Sequence, residues 1–296
     1  MAFIRRIIII IILLVLDPLS SNVYAASAGK IIKSQFNLQG IYYDKEETLF
    51  TLEQDYKNNL SMIFYNHNGY RELLLKDGDI GHQGFGVSTL EHNSARYILT
   101  GMKKSGLHIL LYKLKNKKKP IKYRIKLFPD SFIPGNETMP ALSGDGRFIF
   151  ARGRSKDGQM FIRVFDTPNI YSALKDINNI DLSDNYIYQW PISSRIASNA
   201  IGSLQPLQAI ASNGHDVALM FGNARLTPKV IYFYTVNGEL KRIDTRVTSG
   251  IEDAMIFSQQ NFYEPEGLSY QKNRLKILIT YAKGINKRNV IYNYIK

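Results

Sequence analysis

Beyond residue 30, short apolar or alternating runs return again and again, separated by clusters of Asn, Asp, Gly and Lys. No long segment there keeps a helical period, so the chain must bury its apolar side chains as strands. Leu49 to Leu52, Ser61 to Tyr65 and Glu72 to Leu75 form one set of runs. Tyr97 to Leu99, His108 to Tyr112 and Tyr123 to Leu127 form the next. The pattern recurs at Phe148 to Phe150 with Phe161 to Phe165, at Val217 to Met220 with Val230 to Tyr234 and Leu240 to Ile243, and at Leu275 to Ile279 with Val290 to Tyr294.

A related small motif precedes each set: Leu38-Gln39-Gly40-Ile41, His82-Gln83-Gly84-Phe85, Met139-Pro140-Ala141-Leu142, Leu204-Gln205-Pro206-Leu207 and Glu264-Pro265-Glu266-Gly267-Leu268. Counted from Gln39, Gln83, Pro140, Gln205 and Glu266, the spacings are 44, 57, 65 and 61 residues. A unit of that size with about four short strands is a propeller blade. The reading is therefore all-β, a five-bladed β-propeller filling residues 26–296 as a single domain, with a large β-sandwich as the competing architecture. The longer third and fourth units leave room for an insertion within residues 169–203. Gly or Pro at the start of an inner strand permits a tight bend and close approach around the axis. The polar side chains Gln39, His82, Gln83, Glu137, Gln205, Glu264 and Glu266 are expected near one end of the central channel. There they either converge on a ligand or hydrogen-bond neighbouring blades to close the ring.

The first 25 residues read as a targeting segment. Arg5 and Arg6 precede ten apolar residues, Ile7 to Leu16, and Val23-Tyr24-Ala25 stands before Ala26. This is the pattern of a secretory signal peptide. Ten helical residues rise about 15 Å, half the hydrocarbon thickness, so no transmembrane anchor is expected after cleavage. The mature chain is then expected in the periplasm or secreted, which excludes cytosolic nucleic acid as a partner. The chain has no Cys, so disulfides, thiolate metal sites and cysteine nucleophiles are excluded. Its formal charge of +13 favours anionic partners.

Leu38-Gln39-Gly40-Ile41-Tyr42-Tyr43-Asp44, Gly81-His82-Gln83-Gly84, Glu264-Pro265-Glu266-Gly267-Leu268 and the closing Val290-Ile291-Tyr292-Asn293-Tyr294 resemble one β-propeller superfamily. It includes helveticin J-like bacteriocins, teichoic-acid biosynthesis protein C and the propeller of a staphylococcal podovirus receptor-binding protein. The resemblance implies a five-bladed propeller and, as in several members, work at cell-surface glycopolymers.

Common catalytic patterns are missing: there is no Gly-x-Ser-x-Gly, no His-Glu-x-x-His and no phosphate-binding glycine loop. Of five scattered His residues, only His82 falls in a repeated motif. Glu264 and Glu266, two apart in an extended segment, face one side and offer a cation site with Glu137 or an acid/base pair. Asp181 and Asp184 sit in an Asn-rich stretch read as a polar surface loop. The densest charge is basic: Lys117, Lys118, Lys119, Lys122, Arg124 and Lys126, the last three alternating with Tyr123, Ile125 and Leu127. That face either guards a blade edge against pairing or meets an anionic surface. These features point to an exported module that binds a cell-envelope glycan or anionic polymer, bacteriocin-like or toxin-like in role, with no obligatory cofactor and room for a divalent cation. A metal-dependent hydrolase or lactonase at the channel mouth and a protein-interaction scaffold are the alternatives.

Overall fold

A computed structural model describes residues 29–90, 95–114, 118–135, 137–174, 179–193, 205–258, 261–283 and 286–295. They form a five-bladed β-propeller. The first blade is β2 (Asn37–Tyr43), β3 (Leu49–Asp55), β4 (Leu60–His67) and β5 (Tyr70–Asp77), paired in that order from the axis outwards. The second is β6 (Ile80–Leu90), β7 (Ala95–Met102), β8 (His108–Leu114) and β9 (Ile121–Lys126). The third is β10 (Ala141–Leu142), β11 (Phe148–Arg154), β12 (Met160–Asp166) and β14 (Tyr188–Pro191). The fourth is β15 (Leu207–Ser212), β16 (Asp216–Phe221), β17 (Lys229–Thr235) and β18 (Leu240–Val247). The fifth is β19 (Tyr263–Gln271), β20 (Arg274–Lys283), β21 (Asn286–Asn293) and, from the other end of the chain, β1 (Lys30–Ile32). The inner strands touch in the closed cycle β2, β6, β10, β15, β19 and back to β2. A sandwich has no such cycle.

Burial explains the shape of the runs. Strands in the middle of a blade are covered by neighbours on both faces, so β16 and β17 are almost continuously buried and read as unbroken apolar stretches. The outermost β5 and β18 have lost that cover and carry polar side chains in between. One cluster of buried residues packs blades one to three, another blades three and four, another blades four and five, and a small one seals blade five against blade one. That last seam includes Ile32 of β1, packed with Leu38, Ile41, Tyr43, Leu278 and Ile291. β1 runs antiparallel to β21, with Ile31 opposite Val290. The ring is thus closed by joining both ends of the described chain in one blade.

Residues 169–203, expected to hold an insertion, contain a blade strand as well. After α1 (Thr167–Ser172), β13 (Asn179–Asp181) crosses to blade two and pairs in parallel with β9, and the chain then returns as β14 of blade three. Asp184 lies on this returning segment. Buried Arg163 fixes the crossing: it donates to the carbonyls of Leu127, at 2.8 Å, and Ser183, and to Gln189 Oε1 at 2.7 Å. Its guanidinium lies 4.3 Å from the Tyr186 ring centre.

Candidate functional site

Four of the five inner strands break register near the same end. The interruptions fall between Leu38 and Gly40, Ile80 and Phe85, Leu207 and Ala209, and Pro265 and Gly267. A bulge places an extra residue in one strand and re-aims its side chain. The extra residues include Gln39, His82, Gln83, Gln208 and Glu266, and every one lines a cavity of about 550 Å³ at the mouth of the central channel. Glu137, Glu264, Tyr56, Lys104 and Arg152 complete its polar wall. Below it, Tyr42, Phe85, Leu142, Ile210 and Leu268 converge around only about 10 Å³ of space. Beneath this cup the channel is thus nearly closed.

The inner strands reach this close because their glycines have no side chain. Gly84 has φ +80°, and a Cβ there would stand 2.6 Å from the Met139 carbonyl carbon and the Pro140 oxygen. A Cβ on Gly81 would meet Glu137 Oε2 at 2.5 Å. Glu137 occupies that gap: its Oε2 accepts from the His82 backbone N–H at 2.9 Å and lies 3.0 Å from His82 Nδ1. Burial pushes its carboxyl up, but the His82 contacts and a backbone hydrogen bond from Lys104 outweigh it and hold it below the usual carboxylate range. Glu137 therefore ties the β6 bulge to the turn after β7 while facing the cup.

Across the cup, Glu264 and Glu266 hydrogen-bond to each other. Burial raises both carboxyls; Glu266, 6% exposed, rises well above the normal range, and the Glu264 charge raises it further. Lys287 and Lys229 oppose the rise at Glu264. Two carboxyls this close cannot both ionise readily, so the pair retains a proton where isolated carboxyls would have lost theirs. Lys229 is wholly buried, donates to the carbonyls of Asn223 at 2.8 Å and Arg225 at 2.7 Å, and is drawn down to about 7 by burial. Gln83 Nε2 donates to Gln208 Oε1, and Gln208 Nε2 to the Gly222 carbonyl at 3.1 Å. Tyr56, 63% exposed, stands on the rim near the two glutamates.

Six of the seven residues expected at the channel mouth therefore meet in the cup: Gln39, His82, Gln83, Glu137, Glu264 and Glu266. Gln205 does not. It is 2% exposed, and neither end of its amide has a hydrogen-bond partner. Its expected place belongs to Gln208, because the strand starts later and bulges at that residue. Arg152, Lys104 and Tyr56 carried no repeat signal and were missed. Among the described residues no group of three or more His, Asp or Glu is arranged to hold a metal ion.

The basic strand is largely matched by acids. Lys122 reaches Asp77 at 2.9 Å and Asp79 at 2.6 Å; Lys126 reaches Asp130 at 3.1 Å and Asp181 at 3.6 Å. Tyr123, Ile125 and Leu127 face inwards as the alternation requires. Lys118, Lys119 and Arg124 are exposed, and Lys117 lies outside the described residues. His108, beside Arg124, is pulled down to about 4 by burial and stays neutral.

No protein-family model matches this chain, and a search of curated proteins finds no match. Among solved structures the chain is similar to a Kuenenia stuttgartiensis hydrazine synthase chain, with a TM-score of 0.44 and 10% identity over 82% of this chain and 64% of that one. It is also similar to an exo-beta-1,3-galactanase from Phanerochaete chrysosporium, determined with beta-1,3-galactotriose, at 0.49 and 8% over 90% and 60%. A GH43_1 enzyme from Xanthomonas citri complexed with xylotriose gives 0.48 and 7% over 91% of each chain. The chain spans less than two thirds of the length of the first two. Likeness at this level transfers no site residue and no activity.

Proposed function

We propose that the chain is an exported carbohydrate-binding propeller that takes a cell-envelope glycan into the cup. The observation that carries this reading is the cup's composition. Three amides (Gln39, Gln83 and Gln208) and a carboxyl pair project from bulged inner strands towards one space, with an exposed tyrosine on its rim. Gln83 is bonded to Gln208, Gln208 to the Gly222 carbonyl and Gln39 to the Leu38 carbonyl. The N–H groups and lone pairs these bonds leave over, with the carboxyl pair, are what meets sugar hydroxyls, and an aromatic face covers the apolar face of a sugar ring. Export rests on residues 1–25, and the envelope target and bacteriocin-like role rest on the terminal motifs and the basic charge. The test is a panel of envelope-derived oligosaccharides titrated against the purified protein, with Gln208→Ala and Tyr56→Ala beside the wild type. Binding that falls at least tenfold in both folded variants supports the reading. Binding untouched by either, or none across the panel, overturns it.

A second reading is glycoside hydrolysis with the Glu264–Glu266 pair acting together as one proton donor, favoured by the proton the pair retains: a general acid must be protonated at working pH. Shortened products in mass spectra of the incubated panel, absent with Glu266→Gln, would establish it.

A further inference from the structure

We infer that the cup takes an acidic sugar, with the guanidinium of Arg152 and the ammonium of Lys104 anchoring its carboxylate or phosphate group. The inference rests on the carbohydrate reading and names the class of sugar. Several cations of the molecule meet acids: Arg71 with Glu53, Lys122 with Asp77 and Asp79, Arg147 with Asp145, Lys241 with Asp216 and Lys272 with Glu47, while buried Lys229 and Arg163 are satisfied by carbonyls and an amide. Arg152, on β11, is half-buried in the cup wall and has no ion pair among the described residues. One N–H of its fork is used, on the Glu137 backbone carbonyl. None of its nitrogens is among the buried atoms left without a partner, and the residue lines the cup. The nearby Glu137 carboxylate is already engaged by the His82 ring and by backbone N–H groups of His82 and Lys104. Lys104, exposed on the same wall, has no ion pair among the described residues.

A guanidinium in a concave wall is expensive to leave unpaired, and its planar fork matches a carboxylate or phosphate through two parallel hydrogen bonds. Burial lowers Arg152 only to about 10, so it is charged at neutral pH. On the opposite wall Glu264 and Glu266 repel a second anion and accept from hydroxyls, whereas on the near wall the Glu137 carboxylate is held by His82 and by backbone N–H groups. The cup is thus bipolar, fitting a sugar with one acidic group and a hydroxylated body better than a neutral sugar or a densely charged polyanion.

The experiment titrates the purified protein with a glucuronate-containing disaccharide, its neutral methyl ester and a disaccharide bearing one phosphate. The acid and the phosphate are expected to bind at least tenfold more tightly than the ester, and the tighter of the two identifies the group recognised. Arg152→Gln should bring both to the level of the ester. Because Arg152 also braces the Glu137 backbone, Arg152→Lys and Lys104→Gln provide a second line: each should shrink the acid-to-ester ratio while the melting temperature is kept. An ester that binds as tightly as the acid overturns the inference and leaves the carbohydrate reading standing. Acid binding unchanged in Arg152→Lys and Lys104→Gln overturns the anchor. Binding of none of the three overturns the inference, and only the absence of binding across the wider panel as well overturns the carbohydrate reading.

Discussion

Two glutamates facing one cup carry opposite pH signatures. Glu137 is held below its ordinary range in the folded state. It therefore contributes stability above its unfolded pKa that is lost as pH falls through its folded value. Glu266 is held well above. The folded state binds its proton more tightly than the unfolded chain does, so stability falls as pH rises from the ordinary carboxylate range towards the folded value. Glu266→Gln, which keeps the shape and removes the charge, is expected to raise the melting temperature at neutral pH and to lose that advantage near pH 4. Glu137→Gln should lower it at neutral pH and matter less in acid. Thermal unfolding of both variants across pH 4–8 checks the pair, and parallel pH trends would refute the assignment. Gly84 provides a second residue-scale prediction: Ala there must adopt φ +80° with its Cβ 2.6 Å from blade-three backbone. Strain of this kind costs about 3 kcal/mol or more once the backbone clash is added, readable as a lowered denaturant midpoint at unchanged slope.

The strand elements show what was legible. Inner-strand starts could be read because Gly and Pro punctuate them, and middle strands because cover on both faces makes them continuously apolar. β1 could not, since three residues carry no period, and its pairing with β21 joins positions some 260 residues apart. Gln208 was missed for another reason: β15 is buried at every position, so no alternation marks which side chain faces the axis, and the bulge shifts the register unannounced. Arg163 was likewise invisible, because its partners Leu127, Ser183 and Gln189 come from three segments that only the β13 crossing brings together. The closing seam makes a testable claim about elements. Ile32→Ala removes the apolar side chain that ties β1 to the Leu38, Ile41 and Leu278 cluster. A loss of about 2–3 kcal/mol is expected. Amide exchange should rise first in β21 and β2, on the two sides of the seam, and uniform exchange across all blades would show that closure is not carried there.

At the scale of the molecule, the excess of positive charge and the cup act over different distances. The chain carries a formal +13, yet Lys122 and Lys126 are matched by four aspartates, and β13 covers the edge of β9. The envelope attraction proposed above would therefore fall to exposed cations such as Lys118, Lys119 and Arg124, acting as a diffuse field. Such a field is screened within about 8 Å at physiological ionic strength and about 3 Å at 1 M. The acidic group proposed for Arg152 would sit inside a cavity, where fewer ions intervene. Raising NaCl from about 0.05 to about 0.5 M should thus reduce adhesion to isolated envelopes by roughly tenfold, and affinity for the acidic disaccharide by only about two- to threefold. Lys118→Glu with Lys119→Glu should weaken adhesion and spare the disaccharide, whereas Arg152→Gln should do the reverse. Co-sedimentation with envelopes and calorimetry with the disaccharide read the two separately. If salt and both variants depress the two measurements in parallel, the field alone accounts for binding and the cup contributes no recognition of its own. If they part as expected, the propeller works in two stages, a long-range pull towards the envelope followed by selection of one sugar at the channel mouth.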